Sequence, residues 1–494
     1  MADSRRASER YMQRMQRMVE HQSRFIYFLL SIIGAFLLTY ALRSPEFTQA
    51  QDYVLFLLFL SVGLWFSEAI PPFAVGILII GFLVFSLGAI PYEAGQEVIN
   101  VRKFVSTWSN SVIWLILGGF FLAAGMAKTG LDKDVFRLMV GLLRPTSANI
   151  LLSIMLATCL ASMLMSNTAT TAMMIAAITP IVHQLGRNHP FTRAILLGVP
   201  IAASVGGMGT IIGSPPNAIA ADAINNAGVL PFSIGFLEWM VLGAPLAIGL
   251  TLVLWFALLK RFHPPKEQLE LNFLQKNIAE KIPDEEKEDP DDKLLDEERL
   301  AKRIVLLTLA VTLLLWLTGR LHNIPPAAVS GIPIIVFTMV SIVTGEEVRS
   351  LPWDTLMLVA GGLSLGLAIQ ETGLSQYFVE QLKDLPLASF LVIPLFALLT
   401  VIFSNVMSNT ATATILIPIA TLWPGLHPAV LPIIIGLSAS CALFLPVSTP
   451  PNAIVFSTGL VRQQEFRFGG VLVGLLGPLL IILWVWIARG WMGF

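Results

Sequence analysis

Long apolar runs separated by short polar breaks fill almost the whole chain. Runs able to cross roughly 30 Å of hydrocarbon stand at 25–42, 53–70, 73–90, 112–127, 194–221, 239–259, 304–317, 327–343, 355–369, 428–458 and 471–487, which predicts eleven membrane crossings. Two further runs, 150–182 and 388–423, carry the polar sequence Ser-Asn-Thr at their middles. Irregular polar backbone at membrane depth persists only where protein or a water-lined cavity satisfies it, so these runs read as re-entrant hairpins beside a site. Taken singly, either run also reads as a pair of ordinary helices packing through small residues.

Composition agrees with the pattern. Of 494 residues, 55% are hydrophobic and only 13% charged, against roughly 25% charged in a soluble protein. Water-soluble folding is excluded, and the charge distribution offers nothing to a nucleic acid. Cys159 and Cys441 lie inside apolar runs and read as small buried hydrophobes, and the six histidines show no ligand spacing. No cofactor is predicted.

The charges that remain orient the chain. A basic arm, residues 1–24, holds Arg5, Arg6, Arg10, Arg14, Arg17 and Arg24. The apolar run after it exits through Arg43-Ser44-Pro45-Glu46 with no small-residue cleavage site, so residues 25–52 read as an uncleaved first helix with a cytoplasmic N-terminus. With both hairpins entering and leaving on one side, only Arg43, Arg102, Lys103, Arg320, Lys383 and Arg489 fall outside, and the other 25 of the 31 basic residues fall inside. This satisfies the positive-inside rule for a multi-pass protein of a bacterial-type inner membrane, with its C-terminus outside. Residues 261–303, with the acidic stretch 283–292, read as a solvated cytoplasmic linker.

Four landmarks recur in the same order at an offset of about 240 residues. Ile70-Pro71-Pro72 matches Ile324-Pro325-Pro326, and Gly118-Gly119 with Thr129-Gly130-Leu131 matches Gly361-Gly362 with Thr372-Gly373-Leu374. Ser166-Asn167-Thr168-Ala169-Thr170 matches Ser408-Asn409-Thr410-Ala411-Thr412, and Pro215-Pro216-Asn217-Ala218-Ile219 matches Pro450-Pro451-Asn452-Ala453-Ile454. Five crossings separate equivalent points, so residues 53–260 and 304–494 form an inverted repeat. That is the architecture of a carrier, in which one mid-membrane site faces each side in turn.

The repeated motifs also define the chemistry. Neither hairpin centre carries Lys or Arg, from 153 to 181 or from 385 to 426. An anion brought there finds only Asn amides, Ser and Thr hydroxyls and the free N–H groups of helix starts. Two carboxylate charges would remain largely uncompensated, and bound cations supply the missing charge. The same hydroxyls and amide carbonyls, with main-chain carbonyls freed at helix breaks, suit sodium. Proline pairs at 213–217 and 448–452 predict such breaks, beside the hairpin tips. A lone proline pair reads as a plain kink; duplication in register with the Ser-Asn-Thr pair argues against it.

These residues resemble the divalent anion/sodium symporters, which carry paired Ser-Asn-Thr hairpin tips and paired proline-containing unwound loops. The resemblance runs from about Tyr53 onward. It implies a homodimer with elevator-type motion, the scaffold being the first four crossings and the seventh to ninth. It implies one sodium site at Ser162, Ser166, Asn167 and the main chain of Gly213, and a mirror site at Ser404, Ser408, Asn409 and the main chain near Ser448. The substrate carboxylates would meet Asn167, Thr168, Asn409 and Thr410, with Ser214, Thr449 and Pro450 closing the site. The loops differ, Gly213-Ser214 against Ser448-Thr449, so the mirrored sites need not be equal in affinity.

The function expected is sodium-coupled symport of C4-dicarboxylates such as succinate, malate and fumarate. A sodium-independent exchanger of the same fold is the first alternative, disfavoured by the missing basic residues at the tips. Citrate or sulfate as the anion is a second alternative, and an anion channel is disfavoured by the mirrored sites. An intramembrane enzyme lacks its nucleophile with base or its paired aspartates in the hairpins.

Overall fold

The computed structural model describes residues 2–90, 99–141, 146–264, 290–383, 389–421, 423–446 and 448–492. Helices α1 (Ala2–Leu42) and α2 (Gln49–Ser67) lead into α3 (Pro72–Gly88), the short α4 (Arg102–Ser106), α5 (Ser111–Thr129) and α6 (Leu131–Gly141). Then come α7 (Ser147–Ser162), α8 (Asn167–Leu185), α9 (Pro190–Gly206), α10 (Pro215–Ala227) and α11 (Phe236–Phe262). The second half repeats that order: α12 (Pro290–Leu317), α13 (Gly319–His322), α14 (Pro326–Val329), α15 (Gly331–Met339), α16 (Gly345–Arg349), α17 (Trp353–Glu371) and α18 (Leu374–Lys383). It ends with α19 (Ser389–Val406), α20 (Asn409–Ala420), α21 (Val430–Ser438), α22 (Pro450–Ser457) and α23 (Gln463–Met492).

Each landmark has a local cause. Pro72 and Pro326 take the first helical position, where a missing N–H costs nothing. Each start is also held by an indole: Trp65 Nε1 donates to Pro72 O (3.2 Å) and Trp316 Nε1 to Pro326 O (3.1 Å). Gly130 and Gly373 end α5 and α17 in the left-handed region, at φ 67° and 74°. Gly361 lets two backbones touch, since a Cβ there would lie 2.2 Å from Gly76 Cα, and a Cβ on Gly118 would lie 2.5 Å from Ser330 Cβ. These two close approaches are counterparts. In one, a helix start of the first half meets α17 of the second; in the other, a helix start of the second meets α5 of the first.

The helices group into two compact units. The first holds Met1–Ser109, Asp354–Leu385 and Leu422–Pro424; the second holds Asn110–Trp353, Pro386–Thr421 and Gly425–Phe494. Each contains one of a pair of matching ion contacts, Lys103 with Glu371 (2.7 Å) in the first and Lys128 with Glu347 (2.7 Å) in the second. The division departs from the scaffold expected above. The fourth, seventh and eighth crossings (α5, α12, α14 and α15) group with the hairpins, because α5 packs against α12, α14 and α15.

Polarity is arranged for lipid. Phe36, Phe85, Leu307, Ile335 and Leu475 stand exposed on their helices, while Ser162, Thr170, Asn217, Ser404, Thr412 and Asn452 are buried. Among the described residues, eight helices are long and apolar enough to cross a membrane. The crossings expected at 73–90, 327–343 and 428–458 correspond to shorter apolar helices: Pro72–Gly88, Pro326–Met339 and Val430–Cys441. Two expectations change. Helix α1 runs unbroken through the basic arm, and α12 begins at Pro290, so 290–303 belong to a helix rather than to a linker. Residues 265–289, with most of the acidic stretch, and the last two residues lie outside the described residues.

Candidate functional site

Both polar tips break a helix pair. Helix α7 stops after Ser162, and α8 restarts at Asn167 with Ser166 as its cap, the Ser166 hydroxyl accepting from Ala169 N (3.2 Å). Ser408 caps α20 in the same way, accepting from Ala411 N (3.1 Å). The repeated Ser is thus a helix cap in both halves, and each following Asn opens a helix whose first N–H groups are free to bind an anion.

The proline pairs break the neighbouring helices as expected. Helix α9 gives way to a short 3-10 turn at Gly207–Gly209, and α10 restarts at Pro215; α21 gives way at Ala439–Cys441, and α22 restarts at Pro450. Each restarted helix reaches across to the hairpin of the other half. Helix α22 packs on α8, and α10 packs on α20. Four helix N-termini and two unwound loops therefore belong to one compact unit.

At the first tip the oxygens are drawn together. Ser162 Oγ lies 2.7 Å from both Asn167 Oδ1 and Ala203 O, so three oxygens share one hydroxyl proton. The Asn167 amide rests on Gly207, where a Cβ would fall 2.4 Å from Oδ1. A Cβ on Gly213 would fall 2.7 Å from Gly207 O and 3.0 Å from Ser162 O. Ser162, Asn167 and Gly213, expected to share a cation site, are thus brought together, and Ser166 stands at the adjoining cap. Ser214 is buried beside them and makes no capping bond. Thr168 is exposed on the first turn of α8.

The second tip uses the same residue types in a looser arrangement. Ser404 Oγ and Asn409 Oδ1 are buried, with no hydrogen-bond partner. Ser448 instead donates to Leu445 O (2.8 Å) within its own loop, and Thr449 caps α22 by accepting from Asn452 N (3.4 Å). Thr410 is buried, and Pro450 is exposed at the first position of α22.

Hairpin and loop are joined by residues that sequence reasoning did not single out. Thr210 Oγ1 donates to Met163 O at the first tip, and at the second Phe444 N donates to Asn405 Oδ1 (2.9 Å). Positions 163 and 405 are equivalent, yet one joint uses main chain and the other side chain. An Asn beside a hairpin break was the available signal at 405. Nothing in the residue type marked 163.

This arrangement defines a polytopic helical transporter. The fold is shared with the YdaH transporter of Alcanivorax borkumensis (TM-score 0.55, 14% identity, covering 85% of this chain and 99% of that one) and with Neisseria gonorrhoeae MtrF, of a class of antimetabolite efflux pumps (TM-score 0.51, 14% identity, covering 84% and 94%). The citrate transporter family (CitMHS) matches residues 22–423. Among curated proteins, the sodium-dependent dicarboxylate transporter SdcS of Staphylococcus saprophyticus is 31% identical over 91% of this chain and 89% of its own. The protein of the same name from Staphylococcus aureus strain USA300 is 32% identical over 91% and 88%. The chain belongs to this family of membrane transporters, and the likeness to divalent anion/sodium symporters is borne out.

Proposed function

We propose that the protein carries C4-dicarboxylates such as succinate, malate or fumarate into the cell together with sodium, by elevator-type alternating access. The observation that carries this reading is the pair of neutral, oxygen-rich hairpin tips, one with three oxygens around a single proton and the other with two buried oxygens lacking any donor. Such clusters attract a hard cation. The free N–H groups at the starts of α8, α20, α10 and α22 favour carboxylates. Sodium dependence and dicarboxylates in the names of the relatives point the same way.

In this reading Ser162, Ser166, Asn167 and Gly213 O hold one sodium ion, and Ser404, Ser408, Asn409 and the Ser448 main chain hold another. Asn167, Thr168, Asn409 and Thr410 meet the carboxylates, with Ser214, Thr449 and Pro450 at the edge. Cations enter first, because an unshielded dianion at membrane depth is strongly disfavoured. The hairpins are re-entrant and the halves inverted. The working form is a homodimer with its N-terminus inside and its C-terminus outside.

Proteoliposomes test this directly. Labelled succinate should accumulate under an inward sodium gradient and not under potassium or choline. Uptake independent of sodium but driven by internal dicarboxylate makes the protein an exchanger. Preference for citrate or sulfate under the same gradient moves the substrate class.

A further inference from the structure

Asn217 and Asn452, which have no role in the reading above, occupy equivalent places in the first turns of α10 and α22. Asn217 Nδ2 donates to Gly207 O (2.9 Å) and Thr210 O (2.7 Å), and Asn452 Nδ2 donates to Leu443 O (3.2 Å) and Leu445 O (3.0 Å). The side chains are 0% and 1% exposed. In both, Oδ1 is buried with no donor in reach. The opposite amide orientation would set Oδ1 against two carbonyl oxygens, so the chemistry fixes Nδ2 toward the loop.

A buried acceptor without a donor is costly, and native structures keep few of them. Here the same cost appears twice, at matched positions, where one amide ties two carbonyls freed by a broken helix. In the first half the tied loop is the one that meets the hairpin tip. Gly207 O, held by Asn217, lies against Gly213, and the Asn167 amide rests on Gly207 itself. The unsatisfied Oδ1 adds negative potential in the same buried region, which favours a cation nearby.

We infer that Asn217 and Asn452 are positioning residues of the two cation sites, each clamping the unwound loop so that its main-chain oxygens hold a set distance from the hairpin tip. The inference rests on the sodium reading above. It explains why both proline pairs are followed by Asn: the prolines free the carbonyls, and the amide fixes where they stand.

The test is sodium-dependent thermal stabilisation of the purified full-length protein at pH 8, titrating sodium chloride against choline chloride at constant ionic strength. Asn217→Asp and Asn452→Asp keep the size and the acceptor but remove the donor. Both should lower the melting temperature in choline. In the double variant the sodium concentration giving half the stabilisation should rise on the order of 10- to 100-fold, as for other residues that orient metal ligands. A merely structural role lowers the baseline and leaves the sodium midpoint in place, which overturns the inference. Should the Asp variants fail to fold, Asn217→Ser and Asn452→Ser retain one donor each; an intermediate rise in the midpoint supports the clamp, and an unchanged midpoint overturns it. A parent protein with no sodium-specific stabilisation overturns both this inference and the sodium reading. A parent that responds, with variants that respond alike, overturns the clamp alone.

Discussion

The two hairpin tips share a motif and differ in state. At the first, Ser162 and Asn167 satisfy each other, and Thr210 secures the tip to its loop. At the second, Ser404 and Asn409 present bare oxygens, and the joint passes through Asn405. A repeated sequence therefore does not guarantee repeated energetics. The first tip must exchange an internal hydrogen bond for an ion, while the second gains contacts that it otherwise lacks. A net hydrogen bond is worth about 0.5–1.5 kcal/mol and an unsatisfied buried group costs about 1–3 kcal/mol, so the ion should bind more tightly at the second tip.

Variants can break that contrast, beginning with the asparagines. Asn167→Ala and Asn409→Ala should each depress both sodium and succinate binding, the latter by roughly two orders of magnitude, since one amide serves carboxylate and cation together. Separate titrations of the two ligands measure this, and unchanged sodium binding would detach the amides from the cation sites. Thr168→Ala and Thr410→Ala should weaken succinate by roughly one to two orders of magnitude, through loss of about 1.5–3 kcal/mol per bond to a charged group, with little change in sodium affinity. Succinate affinity equal to the parent's in both would move the substrate away from the tips.

The serines should differ in sign. In sodium-free buffer Ser162→Ala should cost about 1–3 kcal/mol by stranding Asn167 Oδ1, whereas Ser404→Ala, which removes a hydroxyl already stranded, should leave stability unchanged or raise it. Denaturation in choline compares them, and equal losses would erase the distinction between the tips. The smallest effect is expected from pH. Lys128, with the Thr344 backbone and hydroxyl, holds the Glu347 carboxyl at about 2, down from an ordinary 4.5. A lowered folded value contributes stability above pH 4.5 that is lost as pH falls toward 2. The pair is partly exposed, so the contribution is modest. Lys128→Ala should flatten the acid limb of the melting profile without shifting sodium affinity at either tip.

The landmarks were legible because each is a backbone necessity. Proline opens a helix, a left-handed glycine closes one, and Ser before Asn caps a restart. The interior of the site was less legible. Whether Ser162 meets Asn167, or Asn405 meets Phe444, depends on tertiary distance rather than residue type. The search for apolar runs also passed over α6 and α18, whose charged and apolar residues are interleaved, as in Leu131-Asp132-Lys133-Asp134-Val135. Acidic composition hid the start of α12, although Pro290 followed by Asp291 and Asp292 is a helix-opening signal. Of the expected site residues, those at the first tip converge as their spacing suggested. At the second, Ser448 turns its hydroxyl into its own loop.

The matching ion pairs bear on how such a chain could be divided. Lys103 and Lys128 both belong to the first half, and Glu347 and Glu371 both belong to the second. Each contact joins one half to the other, at positions that the repeat makes equivalent. Two copies of the first half would set lysine against lysine at both places, and two copies of the second would set glutamate against glutamate. Each pair is worth only about 0–1 kcal/mol, but like charges reverse its sign. Fragments split within the central charged segment would therefore recognise each other and reject themselves, a complementarity that a symmetric ancestral pair of identical chains could not have possessed.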